Sequence, residues 1–273
     1  MNGKYFVNEN SIVRQIWGNG DTILLIFAGA AAEFAVNKAV DWLYFTGRLP
    51  ADPLSRLFST VSYARSIVFS EHKASIKSID SIAAIHKAVE EKRGAEIPDW
   101  AYRDVLFMLI HYSIVSYEVL ERRLSTTEKH EIFDVFYRIG SRMGISDLPI
   151  TFEDWEIVRT RHMSSNLEHS LYTDDLFLQY KKHLGALRYR ILLESQILVV
   201  PRRVRELLRL SKISLFRPLI WLYKLCRFIK ADWVLKELIL PDKYKDEVRS
   251  LDTVKPKRGC PFSGIRHKRL AQS

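Results

Sequence analysis

Two histidines stand where a helical pattern calls for apolar side chains. Ile79, Ile82, Ala83, His86 and Val89 recur at the spacing of one helix face, and so do Val105, Met108, His111, Tyr112 and Val115. A buried imidazole has to satisfy its polar nitrogens, with a carbonyl, a carboxylate or a metal ion. On spacing alone a satisfied core histidine and a ligand are both open. Arg56 and Thr60 lie four apart and share a face that Tyr63 continues. A guanidinium buried there is costly unless it meets an anion. The carboxylate of a cofactor or substrate would serve, as would an internal Asp or Glu. An exposed Arg on a solvated face fits the same pattern.

Other chemistries find less support. The chain has no G-x-G-x-x-G and no G-x-x-x-x-G-K-[ST] loop to cradle a nucleotide phosphate. It has no H-E-x-x-H, no pair of E-x-x-H motifs for a di-iron bundle and no G-x-S-x-G elbow for a serine nucleophile. Arg161-His162 and Glu168-His169 lie close together, but His162 and His169 match no metal-ligand spacing.

The elements that must carry these residues are helices. Pro and Gly are sparse and fall between periodic segments, with no alternating β-branched run and no repeat. An Ala-rich apolar stretch, Asp21–Trp42, reads as one buried helix. Asp52-Pro53 opens a helix to about Phe69, with Asp as cap and Pro at the first turn. A second runs from near Ser75 to just before Gly94. A third opens at Pro98-Asp99. Ser125 with Glu128 forms a capping box for a fourth, which ends around Gly140 and Gly144. Thr151 with Asp154 caps a fifth. A long helical region spans about Asp174–Ile197, and Pro201 opens another. The expectation is an all-α, single-domain helical bundle of about eight to ten helices over residues 1–251. Residues 252–273 read as a basic, flexible C-terminal tail.

Composition fits a globular chain of 273 residues: 47% hydrophobic and 27% charged. The net charge of +10 permits nucleic acid, anionic membranes or acidic ligands as partners. The absence of a zinc-finger spacing, an RRM signature or basic-region heptads argues against nucleic acid. Two cysteines, Cys226 and Cys260, cannot form a disulfide framework, which favours a reducing compartment. The longest uncharged stretch near the N-terminus, Thr22–Ala32, is well short of the roughly 20 residues that span a bilayer. The segment Ile213–Leu240 is apolar but broken by Arg217, Lys224, Arg227 and Lys230, as an interfacial amphipathic helix or a core-covering helix would be. The chain is therefore expected in the cytoplasm, neither secreted nor membrane-spanning. Residues 213–240 and the basic tail offer a peripheral contact with a membrane such as the endoplasmic reticulum.

The stretch Ala51–Ser70, ADPLSRLFSTVSYARSIVFS, resembles a block of the family that joins the rubber oxygenases (latex-clearing proteins) with the fungal oxygenase MpaB. That block carries Asp-Pro, then Arg-x-x-x-Thr, then an apolar run. Ala84-Ile85-His86 follows and is similar to the family's Val-Arg-x-x-His segment. Leu109-Ile110-His111-Tyr112-Ser113 stands where the family has Trp-Val-His-Ala-Thr. Arg138-Ile139-Gly140 to Pro149, Val200–Val204 and Leu240-Pro241-Asp242 continue the resemblance in order. Some features depart from it. Ile26-Phe27-Ala28-Gly29-Ala30 stands where the family usually has His-Pro, and no N-terminal anchor of the MpaB kind is expected.

The resemblance implies a helical fold enclosing haem b, with dioxygen as co-substrate. It also implies chemistry on the carbon–carbon double bonds of an isoprenoid or similar apolar small molecule. His86 would be the proximal iron ligand. Arg56 and Thr60, with Tyr63 on the same face, would lie by the haem and position oxygen, propionate or substrate. His111 would line the pocket or brace it. Glu33 is the nearest acidic residue upstream of the Arg-x-x-x-Thr helix and so the candidate base. The expected function is a haem-dependent oxygenase of secondary metabolism. The alternatives are a haem enzyme without net oxygenation, such as a dehydratase, isomerase or cyclase, and a haem-free helical protein that binds lipid or a membrane surface.

Overall fold

The structure is a computed structural model that describes residues 4–45, 53–218 and 220, without the side chains of Leu43 and of residues 53–58. Among these residues there are ten helices and no named strand, as the periodicity predicts. In chain order they are α1 (Ile12–Trp17), α2 (Gly20–Ala35), α3 (Val40–Phe45), α4 (Pro53–Phe69) and α5 (His72–Arg93). They continue as α6 (Asp99–Leu120), α7 (Thr126–Arg142), α8 (Phe152–Ser165), α9 (Leu171–Val199) and α10 (Arg202–Leu207).

α2 is the central helix. Its small residues let neighbours approach closely, and it packs most extensively against α6 and then α9. Gly29 marks the closest approach. A Cβ there would sit 2.3 Å from the Tyr112 ring and 2.9 Å from Val199 Cγ2. Around this seam a continuous apolar core gathers Ile16, Trp17, Ile23, Ile26, Phe107, Ile110 and Ile132. Trp17 is fully buried and donates its indole N–H to Ser113 Oγ at 3.2 Å.

The expected single helix over Asp21–Trp42 is in fact two. α2 stops at Ala35, and Asn37 turns the chain by accepting from the Ala39 N–H at 2.8 Å. This is the local side-chain bond that makes Asn a turn former. The same side chain donates to Asp104 Oδ2 at 3.1 Å, so a tertiary partner fixes the break.

α4 and α5 form an antiparallel hairpin. Ser75 Oγ, fully buried, donates to Ile67 O at 2.8 Å and locks the turn, which is why α5 begins at His72 rather than Ser75. α5 ends on Gly94, whose φ of +68° is the left-handed stop that glycine allows. Of α5's residues only Ser75 and Ile79 are buried.

The capping box of Ser125 with Glu128 and the Thr151 cap are present as expected. Gly140, expected at the end of its helix, lies within α7. It makes room for Leu106 and Leu148, whose methyls would lie 2.7 and 2.9 Å from a Cβ. Val105, expected inward, is 39% exposed, whereas Met108 and Tyr112 are buried. α9 starts at Leu171 and is interrupted at Gly185, where φ is +73°. None of the described helices is long and apolar enough to cross a membrane. The tail, the 251/252 boundary, Cys226, Cys260, Leu240-Pro241-Asp242 and most of the 213–240 segment lie outside the described residues.

Candidate functional site

The sequence-predicted residues fall in two places. The first is the α4–α5 hairpin and the side of α6 it faces. Thr60 and Tyr63 stand half-buried on α4, and His86 stands half-buried on α5. Arg56 belongs to α4, but its side chain lies outside the description. α5 packs on α4 and α7, and near His86 its bridge to α6 is made by side chains. The His86 ring meets the Tyr102 ring at 5.2 Å between centroids and 82° between planes. Tyr102 donates its hydroxyl to Glu90 Oε1 at 3.0 Å, one turn beyond His86 on α5. The same oxygen accepts from the Ile97 N–H at 2.9 Å. Burial, then the Glu90 carboxylate, push the Tyr102 phenol well above its ordinary value, so it stays protonated. Farther along α5, Arg93 pairs with Asp41 at 2.7 Å and stacks on Trp42 at 3.8 Å, which ties the helix end to α3.

The second place is a buried ionic cluster joining α2, α6 and α8. Glu33 is completely buried. The Arg159 guanidinium donates to both its carboxylate oxygens, to Oε2 at 2.5 Å. Tyr112 donates to Oε2 at 2.9 Å, and His162 Nε2 lies 3.2 Å from Oε1. His162 Nδ1 is 2.6 Å from Asp104 Oδ1, off the N–H axis. Asp104 also accepts from Asn37 and, at 3.0 Å, from Asn166.

The electrostatics follow from the neighbours. Burial raises the proton affinity of Glu33, but the Arg159 guanidinium and the hydrogen bonds of His162 and Arg159 outweigh it. The carboxyl is held well below the usual range. Burial lowers His162, but Asp104 and Glu33 reverse this and raise it. Both its ring nitrogens face carboxylates, an arrangement that suits the doubly protonated ring. With His162 protonated, two carboxylates meet one guanidinium and one imidazolium, and the charges balance. Removing one member of such a group strands its partner and costs about 3–5 kcal/mol.

This geometry gives Glu33 a different part from the expected base. A base needs a free lone pair and a proton affinity near the working pH. Glu33 has its acceptors occupied and a depressed proton affinity, so it serves as a counter-ion that fastens three helices. His111 lies at the edge of this cluster, ring to ring with Tyr112 at 5.0 Å. Its Nε2 is enclosed without a hydrogen-bond partner among the described residues. Burial, then the Arg159 guanidinium, push its pKa down to about 3, so the ring is neutral. Spacing along the chain reveals His86 and His111, but not that Arg159, His162, Asp104 and Tyr112 form one group.

The residues of the hairpin suit a haem. Among the described residues no three or more His, Cys, Asp or Glu side chains converge as a metal site. A haem iron would need a single imidazole from the chain, its other ligands belonging to the cofactor. His86, held against Tyr102 and beside the Thr60 and Tyr63 helix, is such a donor.

A model of the protein family described as "ER-bound oxygenase mpaB/B'/Rubber oxygenase, catalytic domain" matches residues 14–231. Neither a curated protein nor a solved structure matches the chain.

Proposed function

Because the chain belongs to the MpaB and rubber oxygenase family over residues 14–231, with an oxygenase catalytic domain, we propose that it is a haem-b-dependent oxygenase of an apolar small molecule. The substrate class is an isoprenoid or another secondary-metabolite intermediate. The observation that carries the reading is the imidazole of His86 on α5, in ring contact with Tyr102 and flanked by the α4 helix that bears Arg56, Thr60 and Tyr63. His86 would hold the iron. Bound haem would supply dioxygen binding and the redox chemistry that a protein side chain cannot.

The chain's own residues bind and orient. The Thr60 and Tyr63 hydroxyls would donate to an oxygen atom of ligand or substrate. Arg56, also on α4, would supply a positive charge for a propionate or a developing negative charge. His111 stays neutral and bounds the neighbouring interior without adding charge. The ionic cluster of Glu33, Asp104, Arg159 and His162 holds α2, α6 and α8 rigid beneath, which positions α6 and therefore Tyr102. A peripheral membrane contact through residues 213–240 and the basic tail fits an apolar substrate delivered from a lipid surface.

The test is the visible absorption spectrum of the purified protein, with and without added haemin. The expected result is a Soret band that shifts with dithionite and carbon monoxide and is lost in His86→Ala. Arg56→Ala is expected to keep haem and lose activity. A colourless protein that takes up no haemin would overturn the proposal. A loaded protein that turns over without consuming oxygen would replace oxygenation with a dehydratase, isomerase or cyclase reaction.

A further inference from the structure

We propose that Tyr102, anchored by Glu90, is a positioning residue that sets the plane of the His86 ring for iron; this rests on the haem reading above. Three observations combine. The two rings meet edge to face, the arrangement that aromatic quadrupoles favour over a loose stack. The Tyr102 ring cannot swing freely, because its hydroxyl is tied to Glu90 Oε1 at 3.0 Å. Glu90 in turn is fixed from two sides, on α5 one turn beyond His86 and through the Ile97 N–H at the entry to α6.

The ties therefore form a closed circuit: His86 to Tyr102 through the rings, Tyr102 to Glu90 through the phenol, and Glu90 back to His86 through one turn of α5. The need for such a circuit lies in the packing. Beyond Ile79 no residue of α5 is fully buried, and Ile82 packs on the core from a half-buried position, so the core holds this part of the helix loosely. A histidine that is to hold iron there would gain from another source of orientation. Partners one layer out commonly supply this for metal-binding histidines, and their loss commonly weakens metal affinity.

The experiment is a haemin titration of the full chain, followed by electron paramagnetic resonance of the ferric form, whose rhombic splitting reports the plane of an axial imidazole. Tyr102→Leu is expected to weaken haemin binding by about threefold to tenfold, the equivalent of one aromatic pair. It is also expected to broaden or shift the resonance. Tyr102→Phe keeps the ring and should restore the affinity to within about twofold. Its resonance should stay broadened, because the tie to Glu90 is gone. A purely structural tyrosine would lower the unfolding midpoint and leave the resonance alone. If Tyr102→Leu binds haemin as the wild type does, with an unchanged resonance, while His86→Ala does not bind, this inference fails and the haem reading stands. If His86→Ala also binds normally, His86 is not the iron ligand and the reading of this site fails. Should Tyr102→Leu not fold, Tyr102→Phe carries the test: a broadened resonance supports the circuit, and an unchanged one overturns it.

Discussion

His111 is an imidazole kept from its proton by its surroundings. Burial first, and then the Arg159 guanidinium, lower it to about 3, against the partial opposition of Glu33. In the unfolded chain the ring titrates near its ordinary 6.5. Between those values the unfolded chain holds more protons, so stability falls as pH drops below about 6.5. His162 runs the other way, being raised in the fold. Its contribution is already full below about 6.5 and is lost only as pH rises through the folded value. Glu33 is depressed, so its contribution persists until pH falls below the unfolded carboxylate range near 4.5. The interval from about 6.5 to 5 thus belongs to His111. Urea unfolding at pH 7 and pH 5 is expected to show a clear loss of stability in the wild type and a much smaller one in His111→Phe. Equal losses would remove His111 as the cause. At this scale the sequence shows the unusual residues but not their partners. His86 and His111 are legible because each breaks an apolar stripe. The stripe Phe152, Trp155, Arg159 and His162 holds the same signal, since all four are buried on one face of α8. The neighbouring pair Arg161-His162 hides it. Glu33 meets Arg159 across 126 residues of chain, a pairing that spacing within one helix cannot reveal.

Helices whose ends are written in their own residues are legible from sequence. Ser125 with Glu128, Thr151 with Asp154 and Pro201 each act within a turn, and the structure keeps them. Boundaries set by tertiary contacts are not. Asn37 breaks the α2 region because Asp104 is there to receive its amide, and Ser75 sits inside α5 because its hydroxyl reaches back to α4. Gly29 belongs to the same class. Its part in the α2–α6 seam depends on Tyr112, whose ring would meet a Cβ at 2.3 Å. Tyr112 cannot retreat, because its hydroxyl is bound to Glu33 at 2.9 Å. Gly29→Ala gains up to about 1 kcal/mol of helix propensity. It should lose more by overpacking, which typically costs about 1–3 kcal/mol. A lowered denaturant midpoint is therefore expected. A midpoint at or above the wild-type value would mean that the seam can open, and that the ionic cluster does not hold it shut.

Taken as a whole, the molecule divides into a rigid part and a loosely held part. α2, α6 and α9 share the apolar core and its satellite clusters, α9 through Val199 at its end and Leu176 and Tyr180 in its first half, and the ionic cluster fastens α2 and α6 to α8. α5 beyond Ile79 is held by half-buried side chains, the Tyr102–Glu90 circuit and the Arg93 pair at its end. Few buried contacts mean a low local opening free energy. The helix that bears the proposed axial ligand is then the one that a bound cofactor has most to order. Anything that binds the closed form and not the open one stabilises it by mass action, by about 2.7 kcal/mol at a hundred times the dissociation constant. Amide hydrogen exchange of the haem-free protein should therefore show faster exchange in residues 82–93 than in α2 or α6. Added haemin should slow exchange in 82–93 by up to about a hundredfold while leaving α2 nearly unchanged. In His86→Ala the same haemin should give no protection there. Residues 82–93 exchanging as slowly as α2 without haemin would contradict the division of the molecule. Protection that appears elsewhere, or equally in His86→Ala, would move the cofactor away from α5.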